Sequence, residues 1–210
     1  MEVSFWMDRW EKREIGFHLD EANPILVKHF NQLSLEKGSR VFVPLCGKTN
    51  DIGWLLSQGY RVVGAELSEQ AIGELFAEIG EKPEISECGK VNRYSAKNID
   101  IFVGNFFDLT GEILGPVDAI YDRAALVALP KEMRERYTRR LIQITGKVPQ
   151  LLLCFEYDQQ LMEGPPFSIV SEEVHAHYRD SYRLVLLERI DLPGGLKGKH
   201  PAIESVWLLA

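Results

Sequence analysis

Residues Arg40 to Glu69, RVFVPLCGKTNDIGWLLSQGYRVVGAELSE, constrain this chain more than any other stretch. Val41, Phe42 and Val43 form a short β-branched and aromatic run that reads as a strand, and Pro44 to Lys48 read as its turn. Thr49, Asn50 and Asp51 offer capping side chains to a helix with Ile52, Trp54, Leu55 and Leu56 on its buried side. Gly59 stops that helix. Tyr60 to Ala65 make a second strand, and Glu66 stands at its exit. Two parallel strands joined by a helix place their loops at the carboxyl edge of the sheet, where ligands of open α/β sheets bind.

The same alternation runs on through the chain. Ile25, Leu26, His29, Phe30 and Leu33 follow helical spacing, with a break at Asn23-Pro24 before them and Gly38 after them. Ser68 caps a helix whose stripe is Ala71, Ile72, Leu75, Phe76 and Ile79. Residues 81–98 are polar and lack periodicity, so they read as an excursion before a third strand at Ile99–Gly104. Val117 to Tyr121 form a fourth strand that ends in Asp122-Arg123. Pro130 suits the first position of a helix reaching about Thr145, with Met133, Tyr137, Leu141 and Ile144 inward and Arg134, Arg136, Arg139 and Arg140 largely outward. Leu151 to Phe155 show no alternation, as expected of a central strand buried on both faces. The segment Glu156–Phe167 is a loop carrying Pro165-Pro166. Ser171 caps a helix through Tyr178. Tyr182–Ile190 and Ile203–Leu209 are the last strands, and the glycine-rich turn between them predicts an antiparallel hairpin.

This order predicts an α/β fold: a seven-stranded, mostly parallel sheet with helices on both faces and an antiparallel C-terminal hairpin. A length of 210 residues with 45% hydrophobic content suits one domain spanning 1–210. Residues 1–23 carry Phe5, Trp6, Trp10, Phe17 and His18. They read either as a lid over the ligand edge or as an aromatic staple onto the core. A net charge of −7 argues against a nucleic-acid binder, which needs a basic stripe. Three scattered cysteines, Cys46, Cys88 and Cys154, show neither a disulfide framework nor zinc spacing. His175 and His177 sit at i, i+2, which do not face each other on a helix, so no metal is expected. No apolar run approaches the roughly 20 residues of a membrane span. The first residues lack a signal-peptide core. A cytoplasmic protein is therefore expected, and the polar turns that end the strands suggest a monomer.

The first loop says which ligand to look for. A dinucleotide oxidoreductase needs G-x-G-x-x-G here, so that the backbone can approach a pyrophosphate. PLCGKTND has one glycine. Gly47-Lys48-Thr49 imitates the end of a P-loop, but Phe42 stands where that motif needs its first glycine. A nucleoside without phosphates remains. Glu66 follows at about the 20-residue separation at which an acid meets a ribose. Asn105 and Phe106, at the next strand end, are placed to meet a base. Arg123 cannot act as a base at neutral pH but can hold an anion or a carboxylate; the alternative is an ion pair with Asp122. Cys46 has no nearby histidine to activate it and reads as a small apolar filler.

The segments WMDRWEKREIGFH (Trp6–His18), RVFVPLCGKTNDIGWLLSQGYRVVGAELS (Arg40–Ser68), GNFFDL and IYDRAALVALP (Ile120–Pro130) resemble the thiopurine S-methyltransferases, in their bacterial form. The resemblance spans essentially the whole chain. It implies a Rossmann-like methyltransferase fold, S-adenosyl-L-methionine as cofactor and S-methylation of aromatic and heterocyclic thiols, with selenium or tellurium compounds as further substrates of bacterial members. It also implies roles for matching residues. Trp10 would cover the cofactor, Leu45 would contact it through its backbone, and Glu66 would hold the ribose. Asn105 and Phe106 would lie on the adenine side. Arg123 would stand beside both cofactor and acceptor and orient the reaction, with no general base required. Phe17 would line the acceptor pocket. Two rivals are a non-catalytic nucleoside-binding module and a nucleotide-dependent oxidoreductase. The missing glycines and the absence of a second parallel half oppose the latter.

Overall fold

The computed structural model describes residues 3–16 and 18–210. Its helices are α1 (Val3–Glu11), α2 (Pro24–His29), α3 (Asn50–Ser57), α4 (Glu69–Glu78), α5 (Gly111–Leu114), α6 (Lys131–Thr145) and α7 (Ser171–Tyr178). Its strands are β1 (Arg40–Pro44), β2 (Arg61–Glu66), β3 (Glu84–Cys88), β4 (Val91–Ala96), β5 (Ile99–Val103), β6 (Ala119–Arg123), β7 (Gln150–Tyr157), β8 (Leu184–Asp191) and β9 (Ala202–Leu209). The described residues form a nine-stranded sheet in the order β3-β4-β5-β2-β1-β6-β7-β9-β8. The five central strands β5, β2, β1, β6 and β7 are parallel, and β8–β9 is the expected antiparallel hairpin.

Strand alternation divides the core in two. Phe42, Val63, Phe102, Ile120 and Leu152 point to one face and pack with Leu114 of α5, Tyr137, Leu141 and Ile144 of α6, and Val174 and Tyr178 of α7. Their sequence neighbours Val41, Val43, Val62, Ile101, Tyr121 and Leu151 point to the other face. They meet Ile25 and Leu26 of α2, Ile52 and Leu55 of α3, and Ile72, Leu75 and Phe76 of α4. Each fully buried aliphatic or aromatic side chain of this kind contributes about 1.5–3 kcal/mol. A doubly covered sheet explains why the central strands are apolar at nearly every position.

The structure corrects the sequence reading in four places. Residues 81–98 hold an antiparallel hairpin, which raises the strand count from seven to nine. Cys88 pairs with Val91 across Gly89-Lys90, and Gly89 adopts φ +68°. A glycine at the first position of a two-residue turn suits the type II′ hairpin. Most of β3 is exposed and β4 buries only Val91 and Tyr94, so an apolar period never develops. Second, β6 runs on through Arg123 instead of ending at Tyr121. Third, Arg134 is buried, not outward. It donates to both carboxylate oxygens of Glu173 (2.6 and 3.2 Å) and to the Leu129 carbonyl (2.9 Å). Arg139 does face solvent and pairs with Glu135. Fourth, Pro130 and Val170 precede their helices by one residue, so Pro130 is not the first helical residue and Ser171 is not the cap. No helix among the described residues is long and apolar enough to cross a membrane.

Candidate functional site

From β1 the chain winds to β2 and onward to one side, while β6 flanks β1 on the other. The loops leaving β1 and β6 therefore diverge at the carboxyl edge, which makes this the switch point at which ligands of such sheets bind. Both loops begin with a non-glycine residue in the left-handed region, Leu45 at φ +46° and Ala124 at φ +62°. Such backbone persists only where its surroundings hold it, and it clusters at ligand sites.

The β1 loop is held from β2. Glu66 is buried, and its Oε2 accepts from the Gly47 N–H at 2.8 Å. Its Oε1 accepts from the N–H groups of Leu67 (2.8 Å) and Ser68 (2.9 Å). Burial pushes the Glu66 carboxyl up, and these three N–H donors pull it back. A carboxylate offers about four lone-pair sites. Three are filled, and the one left lies on Oε2. Ser68 then caps α4 through the Ala71 N–H at 3.2 Å.

Beneath the loop, Cys46 is buried, and its thiol lies over Gly64 of β2. A Cβ at Gly64 would come within 2.9 Å of Cys46 Sγ and 2.6 Å of Ile101 Cδ1. Burial, followed by the nearby Glu66 charge, pushes the Cys46 thiol well up. Cys46 is thus a protonated filler.

At the end of β6, alternation sends two charges to opposite faces. Asp122 is fully buried and accepts from Tyr137 Oη (2.7 Å) and the Leu126 N–H (3.2 Å), and burial raises its carboxyl to about 6. It does not pair with Arg123. Among the described residues Arg123 makes no hydrogen bond and no ion pair; its field reaches Tyr121 and Glu204. Glu204 stands on β9 opposite Phe155 of β7, on the same sheet face as Arg123. Burial raises its carboxyl to about 6, and Arg123 pulls it down.

The remaining expected residues distribute as follows. Asn105 is exposed at the end of β5 and caps the turn Phe106–Asp108 by accepting from the Phe107 N–H (3.0 Å). The Phe106 ring is 5% exposed and packs against Tyr137 at 5.0 Å between centroids, so its side chain belongs mainly to the core. Trp10 is buried on α1 at 4% exposure. Its segment is moored to α3: Asn50 Nδ2 donates to the Leu19 and Asp20 carbonyls, and the Asn23 N–H donates to Asp51 Oδ1 at 2.6 Å. Tyr121 donates to the other Asp51 oxygen at 3.0 Å. Phe17 lies outside the described residues. The Pro165-Pro166 loop returns to the same edge, where the Phe167 N–H donates to the Val127 carbonyl at 2.6 Å.

Sequence reasoning therefore brings Leu45, Glu66 and Arg123 to adjoining strand ends and sets Asn105 one strand further. It missed Glu204, Gly64 and the Asn23–Asp51–Tyr121 chain. The one charge in the IESVWLL run of the final strand is the signal that pointed to Glu204.

The profile of the thiopurine S-methyltransferase family matches residues 1–206. A protein of that name from Xanthobacter autotrophicus is 55% identical over 210 residues, covering 100% of this chain and 99% of the relative. One from Pseudomonas aeruginosa PAO1 is 45% identical over 195 residues, covering 92% and 89%. Among solved structures, the fold is similar to a Burkholderia thailandensis 1,6-didemethyltoxoflavin-N1-methyltransferase with S-adenosylhomocysteine bound. That match has a TM-score of 0.67 at 16% identity and covers 99% of this chain and 87% of the other. A methyltransferase from Anabaena variabilis gives a TM-score of 0.63 at 17% identity, covering 99% and 95%. By its profile match and by identities of about half over nearly its full length, the chain belongs to the thiopurine S-methyltransferase family.

Proposed function

We infer that this chain transfers the methyl group of S-adenosyl-L-methionine to the sulfur of aromatic or heterocyclic thiols, thiopurines among them. The residues present fit that cofactor. The spare lone pair on Glu66 Oε2 suits one ribose hydroxyl, and the single-glycine loop suits a nucleoside that carries no phosphate. The cofactor supplies an activated methyl on a sulfonium, so the protein's part is orientation and electrostatics. Leu45 would present its left-handed backbone to the cofactor, Asn105 and the turn at Phe106 would bound the base, and Trp10 on the N-terminal segment would cover the site as a lid. Phe17 is proposed to line the acceptor pocket.

One observation carries the acceptor side: Arg123 stands at the switch point with no hydrogen bond or ion pair among the described residues. A partly buried guanidinium with its donors unspent suits an anionic group, either a thiolate acceptor or the cofactor's carboxylate. A thiolate held there needs only to be aimed at the methyl carbon, and a near-attack separation of roughly 3–3.5 Å achieves most of that gain. Arg123→Ala tests this. A charge-assisted hydrogen bond is worth about 1.5–3 kcal/mol, so kcat/KM should fall about 10- to 150-fold. Unfolding free energy should change by less than about 1 kcal/mol, since no internal partner is lost. Unchanged transfer kinetics in the folded variant would remove Arg123 from the reaction.

The same reading takes the protein as a monomer. The β3 edge presents Glu84 and Glu87 to solvent, and charged edges resist strand pairing between copies. Sedimentation equilibrium checks it, and a dimer mass at micromolar protein would refute it.

A further inference from the structure

We propose that Glu204 takes the proton of the acceptor thiol, and that Arg123 receives the thiolate so formed. The proposal rests on the methyl-transfer reading above and assigns a residue to a step which that reading leaves open.

The placement comes from the sheet. β9 runs antiparallel to β7, so its first residues lie at the carboxyl edge, level with Phe155 and Tyr157. Register puts Glu204 on the face that also carries Tyr121 and Arg123. Glu204 is partly buried, yet no hydrogen bond to it is made among the described residues. A carboxylate desolvated and left without donors is a poor structural element, because no hydrogen bond offsets its burial. It is a good base for the same reason, since burial pushes its carboxyl up to about 6. The charged groups around it are otherwise engaged. On β8 the residue opposite is Ile190, and the next acid on this face, Glu188, is held by Lys28 and His29 of α2 at 2.6–2.7 Å. Glu156 of β7 points to the other face and holds Arg189 at 2.8 Å. Asp51 of α3 is occupied by Tyr121 and the Asn23 N–H. Arg123 is the cation that Glu204 feels, and it makes no ion pair. A base and an unpaired guanidinium thus share one face at the carboxyl edge, Arg123 at the switch point and Glu204 two strands away on β9.

The step balances without a further reagent. The proton leaves the acceptor's S–H, or its ring N–H in the thione tautomer, for a Glu204 oxygen. The sulfur electron pair forms the bond to the methyl carbon, and the bond from that carbon to the sulfonium breaks, leaving a neutral thioether. Glu204 returns the proton to water after the products leave. Thiols already ionised at the working pH do not need the base, which makes acceptor acidity the diagnostic variable.

The test compares the full-length protein with Glu204→Gln, a neutral isostere. Two aromatic or heterocyclic thiols are used, one ionised at pH 7.5 and one still protonated there. General-base assistance is worth about 100-fold or more. The variant should lose about that much kcat/KM on the protonated thiol and less than about threefold on the ionised one. The wild-type rate on the protonated thiol should fall as pH drops through about 6, and the variant should lack that limb. Calorimetric affinity for S-adenosylhomocysteine should be the same in both proteins. Equal losses on the two thiols, or an unchanged pH limb, would overturn the role of Glu204 while leaving the methyl-transfer reading intact. Failure of the wild type on both thiols, with S-adenosylhomocysteine still bound, would overturn the reading and the proposal together.

Discussion

Replacing Glu66 by glutamine separates the two tasks that the structure gives to one carboxylate. Oε1 accepts from Leu67 and Ser68, and Oε2 accepts from Gly47. The amide will turn its oxygen toward the pair of donors, because the other orientation loses two bonds instead of one. Its NH₂ then faces the Gly47 N–H, and one charge-assisted bond worth about 1.5–3 kcal/mol is lost. Burial already disfavours the charge, pushing the Glu66 carboxyl up, so removing that charge offsets part of the loss. Net destabilisation should stay below about 2 kcal/mol. Binding loses more selectively. The acceptor site left for a ribose hydroxyl becomes an N–H donor, and a charge-assisted bond gives way to a neutral one at best. That difference is about 1–2 kcal/mol, or about 5- to 30-fold in Kd. Titration calorimetry with S-adenosylhomocysteine measures the affinity, and chemical denaturation measures the stability. The pH dependence adds a second readout. A raised carboxyl is protonated at a higher pH than an ordinary glutamate, so wild-type affinity should decay earlier on acidification and Glu66→Gln should not show that decay. A variant that keeps its Kd within twofold while losing stability would show that Glu66 only braces the loop, and the ribose assignment would fail.

Two further perturbations probe the frame around this site. Gly64→Ala puts a Cβ 2.6 Å from Ile101 Cδ1 and 2.9 Å from Cys46 Sγ, so both side chains must shift; a stability loss of about 1–3 kcal/mol is expected by denaturation, and cofactor affinity should fall with it if the shift of Cys46 reaches the β1 loop. Restored affinity in Gly64→Ala/Cys46→Ala would locate the clash at the thiol. Asp122 has its carboxyl raised from 3.8 to about 6 by burial. Because the folded state holds this proton more tightly than the unfolded chain, stability falls as pH rises from about 4 to about 6. The cost is about 3 kcal/mol and is fully present above pH 6. In Asp122→Asn, Tyr137 Oη can accept from the new amide, and this part of the pH dependence of unfolding should vanish. A slope unchanged between pH 4 and pH 6 would refute the assignment.

Periodicity reports burial, so it found the central strands and missed β3 and β4, whose exposed edge positions need no apolar period. The α6 arginines show the same limit. The spacing of Arg134 resembles that of its solvent-facing neighbours, and only the approach of Glu173 from α7 draws it into the interior. Asp122-Arg123 invited an ion pair between neighbours. Once β6 extends through Arg123, the two side chains must point to opposite faces, and no local pattern shows how far a strand runs.

By itself, the sequence determined the strand–loop–helix–strand at Arg40–Glu69, the acid at its end and the lack of a phosphate cradle. These depend on side-chain spacing within about 30 residues, where chain connectivity alone sets who can meet whom. Only the tertiary structure decided that three backbone N–H groups leave Glu66 one open lone pair, that Cys46 rests on Gly64, and that Arg123 shares a face with Glu204. Those meetings depend on how paired strands are registered against each other, β1 on β2 for the first two and β6, β7 and β9 for the last. A shift of one residue in any of them would have turned the same side chains to the opposite face.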